Sequence, residues 1–219
     1  MPEVRLFRLR VFFCKGGRLA LLSHLELARA LERTVRRAGL PYAVSQGFSP
    51  HMRIAFGAAL PVGVGGLQEC FDLSLASYVA PDKALEALVA TSAEDLMPHT
   101  CNYIGSKAPA ASVAYPLCAY EARFSRAPEA PLPVPETVTL TRKSKEKVLR
   151  VADYLEGEPA WDGDRLTFAL WSRPTGSLRC DTLVEAMLAQ QGAPAAPGGE
   201  TLQLVSLTRT AQHALLNLL

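Results

Sequence analysis

The chain has 219 residues and a mass of 23.6 kDa; 49% of it is apolar, 20% is charged, and the formal net charge is +2. That apolar share excludes disorder of the chain as a whole, and the length suits one large domain or two small ones. No run approaches the roughly 18 apolar residues of a membrane-spanning helix, and the N-terminus enters charged alternation without a signal-peptide core, so a cytoplasmic protein with no membrane partner is expected. Cys14, Cys70, Cys101, Cys118 and Cys180 are odd in number and form no C-x-x-C pair. This argues against a disulfide framework, a zinc ribbon or an iron–sulfur site, and no cofactor is expected.

Taken in chain order, Phe7, Leu9, Val11 and Phe13 alternate with Arg8, Arg10 and Phe12, a strand pattern. Lys15-Gly16-Gly17-Arg18 is a turn, and Leu19–Leu22 is a brief extension of the sheet. Ser23-His24-Leu25-Glu26 has the form of a capping box. The helix it opens carries an apolar stripe (Leu27, Leu31, Val35, Ala38) and a basic side (Arg29, Arg33, Arg36, Arg37), and Gly39 and Pro41 stop it. Two extended runs, 42–45 and 53–56, flank the loop Gln46-Gly47-Phe48-Ser49-Pro50-His51. A Gly/Pro connection over 59–66, a strand over 68–75, a helix over 82–90 behind Pro81, and a strand over 97–104 complete β-α-β-β-α-β.

Residues 105–116 read as a linker rich in Ala, Pro and Ser. Strands are expected at 118–124 and 165–171, a proline-rich loop at 127–135, and extended runs at 138–140 and 148–155. A helix is expected over 182–191, with a second capping box at Thr182 and Glu185, and a strand over 202–207. The fold class is α+β: two ferredoxin-like (split βαβ) units, the second degenerate. The boundaries are 1–106, a linker at 107–117, and 118–219.

The small total charge hides an asymmetry. Residues 1–57 hold ten Lys/Arg, nine of them arginine, against three acids. A second basic cluster, Arg142-Lys143-Ser144-Lys145-Glu146-Lys147, follows in the other half. Arginine binds phosphate in a bidentate fork, so the pattern suits an anionic partner. The candidate anion-binding residues are Ser23, His24, Arg29, Arg33, Arg36, Arg37, Ser45, Gln46, Gly47, Phe48, Ser49, His51, Arg53, Arg142 and Lys143. A helix N-terminus at Ser23 offers free amides and a positive dipole end. His24 and His51 are candidate catalytic residues, a general base and a general acid for metal-free phosphodiester cleavage. Cys14, His24, His51, His99 and Cys101 lack the paired ligand spacing of a structural zinc site. Phe12, Tyr42 and Phe48 are the aromatic platforms a single-stranded nucleic acid would require.

The runs Lys15–Leu27, Arg29–Arg33, Arg36–Pro41, Ser45–His51 and Ala59–Gly63 resemble the radical SAM-associated (radical SAM-linked) protein family, a domain of unknown function found fused to or alongside radical SAM enzymes. The likeness is densest over residues 8–75 and continues weakly near 142–150 and 208–210. Glu26 stands where the family usually has Asp, and the proline run 128–135 replaces a longer helical region. The resemblance implies a radical SAM enzyme as partner. The C-x-x-x-C-x-x-C loop that would hold that enzyme's own cluster is missing from this sequence. At fold level the split βαβ pattern is also similar to the RAMP superfamily of RNA-binding proteins. The expected function is therefore an accessory, substrate-binding protein for RNA or another anionic substrate. The alternatives are a metal-independent RNA endonuclease or RNA-modifying enzyme using His24 and His51, and a protein docking module that binds no nucleic acid.

Overall fold

Alternation does in the first strand what the sequence implies. β1 (Phe7–Lys15) turns Leu9, Val11 and Phe13 to one face, where each is buried. The computed structural model describes residues 6–142, 145–173, 176–190 and 201–214. It has a mixed α and β architecture with four α-helices among those residues, and it divides into two units, Met1–Tyr115 and Pro116–Leu219. No described helix is long and apolar enough to cross a membrane.

The first unit continues with α1 (His24–Arg37), β2 (Ile54–Phe56), β3 (Gly65–Leu75), α2 (Pro81–Thr91), β4 (Pro98–Tyr103) and the short α3 (Ala111–Ala114). Its strands lie in the order β4-β1-β3-β2, and every neighbouring pair is antiparallel. The apolar rows of β1 and β3 (Phe71, Leu73, Leu75) form one core with Leu27, Leu31 and Val35 of α1 and with Ala84 and Leu88 of α2. Each such side chain contributes about 1.5–3 kcal/mol on leaving water. On the other face of the sheet, Arg8 and Arg10 bind the carbonyls of Ala108 and Pro109, and α3 rests against β2 and β3.

In place of a sheet extension at 19–22, Gly17–Leu21 forms a 3-10 turn. Gly17 has φ +46, a conformation that strains any other residue, and a Cβ there would lie 2.3 Å from the Asp95 carboxylate and displace it.

The second unit contains β5 (Leu117–Phe124), the hairpin β6 (Thr137–Arg142) and β7 (Lys145–Arg150), then β8 (Leu155–Asp162), β9 (Arg165–Arg173), β10 (Gly176–Ser177), α4 (Cys180–Ala189) and β11 (Leu204–His213). β9 pairs with β8, β10 and β5, and β5 pairs with β11, all antiparallel. α4 buries Leu183, Val184 and Met187. It begins at Cys180, so the capping box expected at Thr182 and Glu185 does not form. The Thr182 amide instead donates to the Asp181 carboxylate at 2.9 Å, inside the first turn.

Candidate functional site

The Ser23 box forms as the spacing requires. The Ser23 hydroxyl accepts the Glu26 amide, and the Glu26 carboxylate accepts the Ser23 amide at 2.9 Å. The Ser23 hydroxyl also donates to the Glu26 carboxylate at 2.6 Å; that bond first, then the one from the Ser23 amide and the charge of Arg29, hold the Glu26 pKa below its ordinary value. With Leu27, Leu31 and Val35 turned inward, Arg29, Arg33, Arg36 and Arg37 are all exposed. Arg36 lies 4.0 Å from Glu32, a loose pair of little energetic weight. Arg29, Arg33 and Arg37 form no ion pair among the described residues.

Beyond Gly39 and Pro41 the chain makes a hairpin-like excursion. Tyr42 pairs with Leu75, and Val44 with Met52. The Ala43 amide donates to Ser74 O and the Arg53 amide to Ala43 O, both at 2.8 Å. At the neck, Ser45 N–H donates to His51 O at 2.8 Å, and His51 N–H donates to the Ser45 hydroxyl at 3.0 Å. The Ser49 hydroxyl stands 3.3 Å from His51 Nε2. Ser45, Ser49 and His51 are thus brought together, and Gln46, Gly47 and Phe48 are exposed at the tip. Arg53 is exposed where the excursion returns to β2.

His24 opens α1. Its ring meets Phe56 edge-on, with centroids 5.6 Å apart at 86°. Phe56 ends β2, five residues beyond His51 along the chain. No hydrogen bond joins His24, His51 or Arg53 to one another among the described residues. His24 lines a small cleft with Phe13, Leu27, Phe56, Gly57–Leu60, Glu69 and Cys70, with room of about 20 Å³, enough for a single water. Sequence reasoning missed Glu69. It begins the row Glu69, Phe71, Leu73, Leu75 and is buried on the core side, opposite Phe13. An acid in the apolar register of a strand was the signal that could have found it.

A family model described as "Uncharacterized protein conserved in bacteria (DUF2344)" matches residues 8–157. The chain belongs to this family. The match covers α1, the 42–54 excursion, the His24 cleft and the β6–β7 hairpin, so every candidate residue lies inside the DUF2344 region. A comparison with curated proteins returns no match.

The cationic count of residues 1–57 must be divided between surface and interior. Arg10 and Asp72 are 6% and 3% exposed. Arg10 Nε donates to Asp72 Oδ1 and Arg8 Nη2 to Asp72 Oδ2, each at 2.6 Å. The bond to Asp72 raises the Arg10 pKa further above its already high value. Lys15 is buried with its ammonium 2.9 Å from Ala20 O and 3.2 Å from Leu22 O. These three cations are internal fixtures, whereas Arg18, the four α1 arginines and Arg53 face solvent.

No three of the possible metal ligands gather among the described residues. Cys14 Sγ and His99 Nε2 both approach Leu67 O, Cys101 bonds Pro81 O, and His24 and His51 stand as described. Of the second basic cluster, Arg142 ends β6, while Lys143 lies outside the described residues.

Proposed function

We propose that the chain is a binding module for RNA, or another anionic substrate, that works beside a separate radical SAM enzyme. The observation that carries this reading is the α1 surface. Its apolar stripe is committed to the core, and four arginines remain in solvent, with Glu32 loosely paired to Arg36 and Glu26, bound in the cap, on the side of Arg29. Guanidinium groups in that state are available for bidentate bonds to phosphate. The excursion 42–54 leaves the C-terminal end of the same helix and adds Arg53, Ser45 and His51. The resemblance of residues 8–75 to the radical SAM-associated family supports the partner, and the missing cluster loop supports an accessory role.

We read both units as ferredoxin-like. The order β4-β1-β3-β2 with two helices on one face supports this for the first. In the second, the order β11-β5-β9-β8 has the same form, with the β6–β7 hairpin in place of the first helix. That pattern also underlies the fold-level likeness to the RAMP superfamily.

Filter binding of labelled RNA tests the function. With four phosphates engaged, the logarithm of affinity falls with the logarithm of salt at a slope of about −3, roughly 50-fold weaker at 200 mM than at 50 mM. Arg33→Glu with Arg37→Glu should halve that slope. No retention at the lower salt rejects RNA as the ligand. If a radical SAM enzyme still co-purifies after nuclease treatment, and the double charge reversal abolishes this, the helix face is instead a protein dock. A shortened RNA on a gel, intact with His24→Ala, would favour the nuclease reading, for which the shared cleft of His24 and Glu69 is the structural support.

A further inference from the structure

Three aromatic residues of the first unit are candidate stacking platforms, and the structure separates them. Phe12 is packed edge-to-face on Tyr115, with centroids 5.8 Å apart. Tyr42 is half-buried against the core. Phe48 is fully exposed, at 112% of its reference area, so no neighbour shields its ring. Burial is the ordinary fate of a phenylalanine, and full exposure forfeits a favourable transfer from water.

The ring also stands on a constrained support. The two bonds between Ser45 and His51 and the Val44–Met52 pairing fix the neck of the loop, leaving five residues at the tip. Pro50 restricts the backbone on one side of the ring. Gly47, at φ +133, supplies on the other a conformation that side chains rarely adopt. A platform held this way loses little entropy when something stacks on it.

We infer that Phe48 is a stacking platform for an unpaired base, so that the module selects single-stranded over duplex RNA. This rests on the RNA reading above and deepens it. An apolar protein anchor would be ringed by other apolar side chains. Phe48 is instead flanked along the chain by Gln46, Gly47, Ser49 and Pro50, with the exposed Arg53 on the returning strand; Val44, at the neck, is the one other exposed large apolar side chain of residues 42–54. An exposed ring in a unit whose α1 face and returning strand carry exposed arginines suits a polymer with charged backbone and planar bases. In a duplex the base faces are stacked on one another and inaccessible, so only unpaired nucleotides can use the ring.

The test uses the full chain with a fluorescent 12-nucleotide single strand and the blunt duplex that the same strand forms with its complement. Phe48→Ala should weaken the single strand at least about tenfold and leave the duplex unchanged. Phe48→Trp should restore single-strand affinity, and its added fluorescence should be quenched by the single strand and not by the duplex. Because the side chain touches nothing in the fold, a loss with Phe48→Ala is not a folding defect; circular dichroism checks this. Equal single-strand affinity for Phe48→Ala and the unaltered chain, with loss in Arg33→Glu/Arg37→Glu, overturns the stacking role and leaves the arginine reading standing. No RNA binding by the unaltered chain overturns both. Loss of a co-purifying protein in Phe48→Ala, with RNA affinity intact, assigns the ring to a protein contact and overturns the inference.

Discussion

Asp72→Asn tests the internal charge cluster that the sequence disguised as surface charge. The substitution is nearly isosteric, so it removes the negative charge and little volume. Asp72 is 3% exposed and holds Arg10 through two bonds, of 2.6 and 2.9 Å, and Arg8 through one of 2.6 Å. Losing the partner of a buried cation costs about 3–5 kcal/mol. Arg8, whose side chain is 23% exposed, can turn partly to water, which places the expected cost near the lower end. At a urea slope of about 1.5–2 kcal/mol/M, a loss of about 3 kcal/mol lowers the midpoint by about 1.5–2 M.

Both tryptophans lie in the second unit, so intrinsic fluorescence would miss the event. Far-UV circular dichroism and hydrogen exchange of the β1 and β3 amides report on the right place. The same two arginines bind Ala108 O and Pro109 O, so cleavage around residues 105–110 by a nonspecific protease should accelerate. The double variant Arg10→Met/Asp72→Leu, which removes both buried charges, should lose much less. A midpoint for Asp72→Asn within about 0.3 M of the parent, with unchanged proteolysis, would refute the assignment.

Two further expectations follow from the caps and thiols. Ser23→Ala should cost about 1 kcal/mol of stability, read as a urea midpoint, because the Glu26 amide loses its acceptor. Ser23→Ala also removes the hydroxyl that donates to the Glu26 carboxylate, the main cause of that group's lowered pKa. That bond's contribution is present above the ordinary value of 4.5 and fades as the pH falls through the folded value, so the variant should have a flatter acid limb in its stability profile. Among the thiols, burial pushes Cys180 up to about 12 and raises Cys101, whereas Cys14 is half-exposed. Alkylation at pH 8 followed by peptide mass analysis should label Cys14 first and Cys180 last, and early labelling of Cys180 would contradict the α4 packing.

The parts legible in the sequence are those whose physics is local. The Ser23–Glu26 box needs residues three apart, the α1 stripe needs 3.6-residue spacing, and Gly39, at φ +65, stops the helix where a left-handed residue is wanted. The unread features depend on partners far along the chain. Arg10 and Asp72 meet only through the register Arg10↔Asp72 across two strands, so no window of sequence shows them as a pair. β8 contains Gly157 and Pro159, which argue against a strand. It tolerates them because its register on β9 shifts between Glu156 and Ala160, where a missing ladder bond costs little. At α4, Asp181 takes the Thr182 amide, and that displaces the capping pattern written two residues later. Glu69 is a further long-range case, since it reaches the His24 cleft only through the register Phe13↔Glu69 across two strands.

The arginine and phenylalanine contributions to the proposed site are physically separable. Counterion release makes the phosphate part fall steeply with salt, whereas stacking of a base on an aromatic face is short-ranged and insensitive to it. Charge reversal on α1 should therefore change the slope of affinity against salt, and Phe48→Ala should lower the affinity at every salt while leaving the slope in place. A solvated helix face that binds nothing gives neither effect. A protein dock built on charge gives a slope without any dependence on whether nucleotides are paired. Only a site that joins exposed guanidinium groups to an exposed ring gives both, with the ring's share confined to single strands, and this chain keeps the two features on one helix and the excursion that directly follows it.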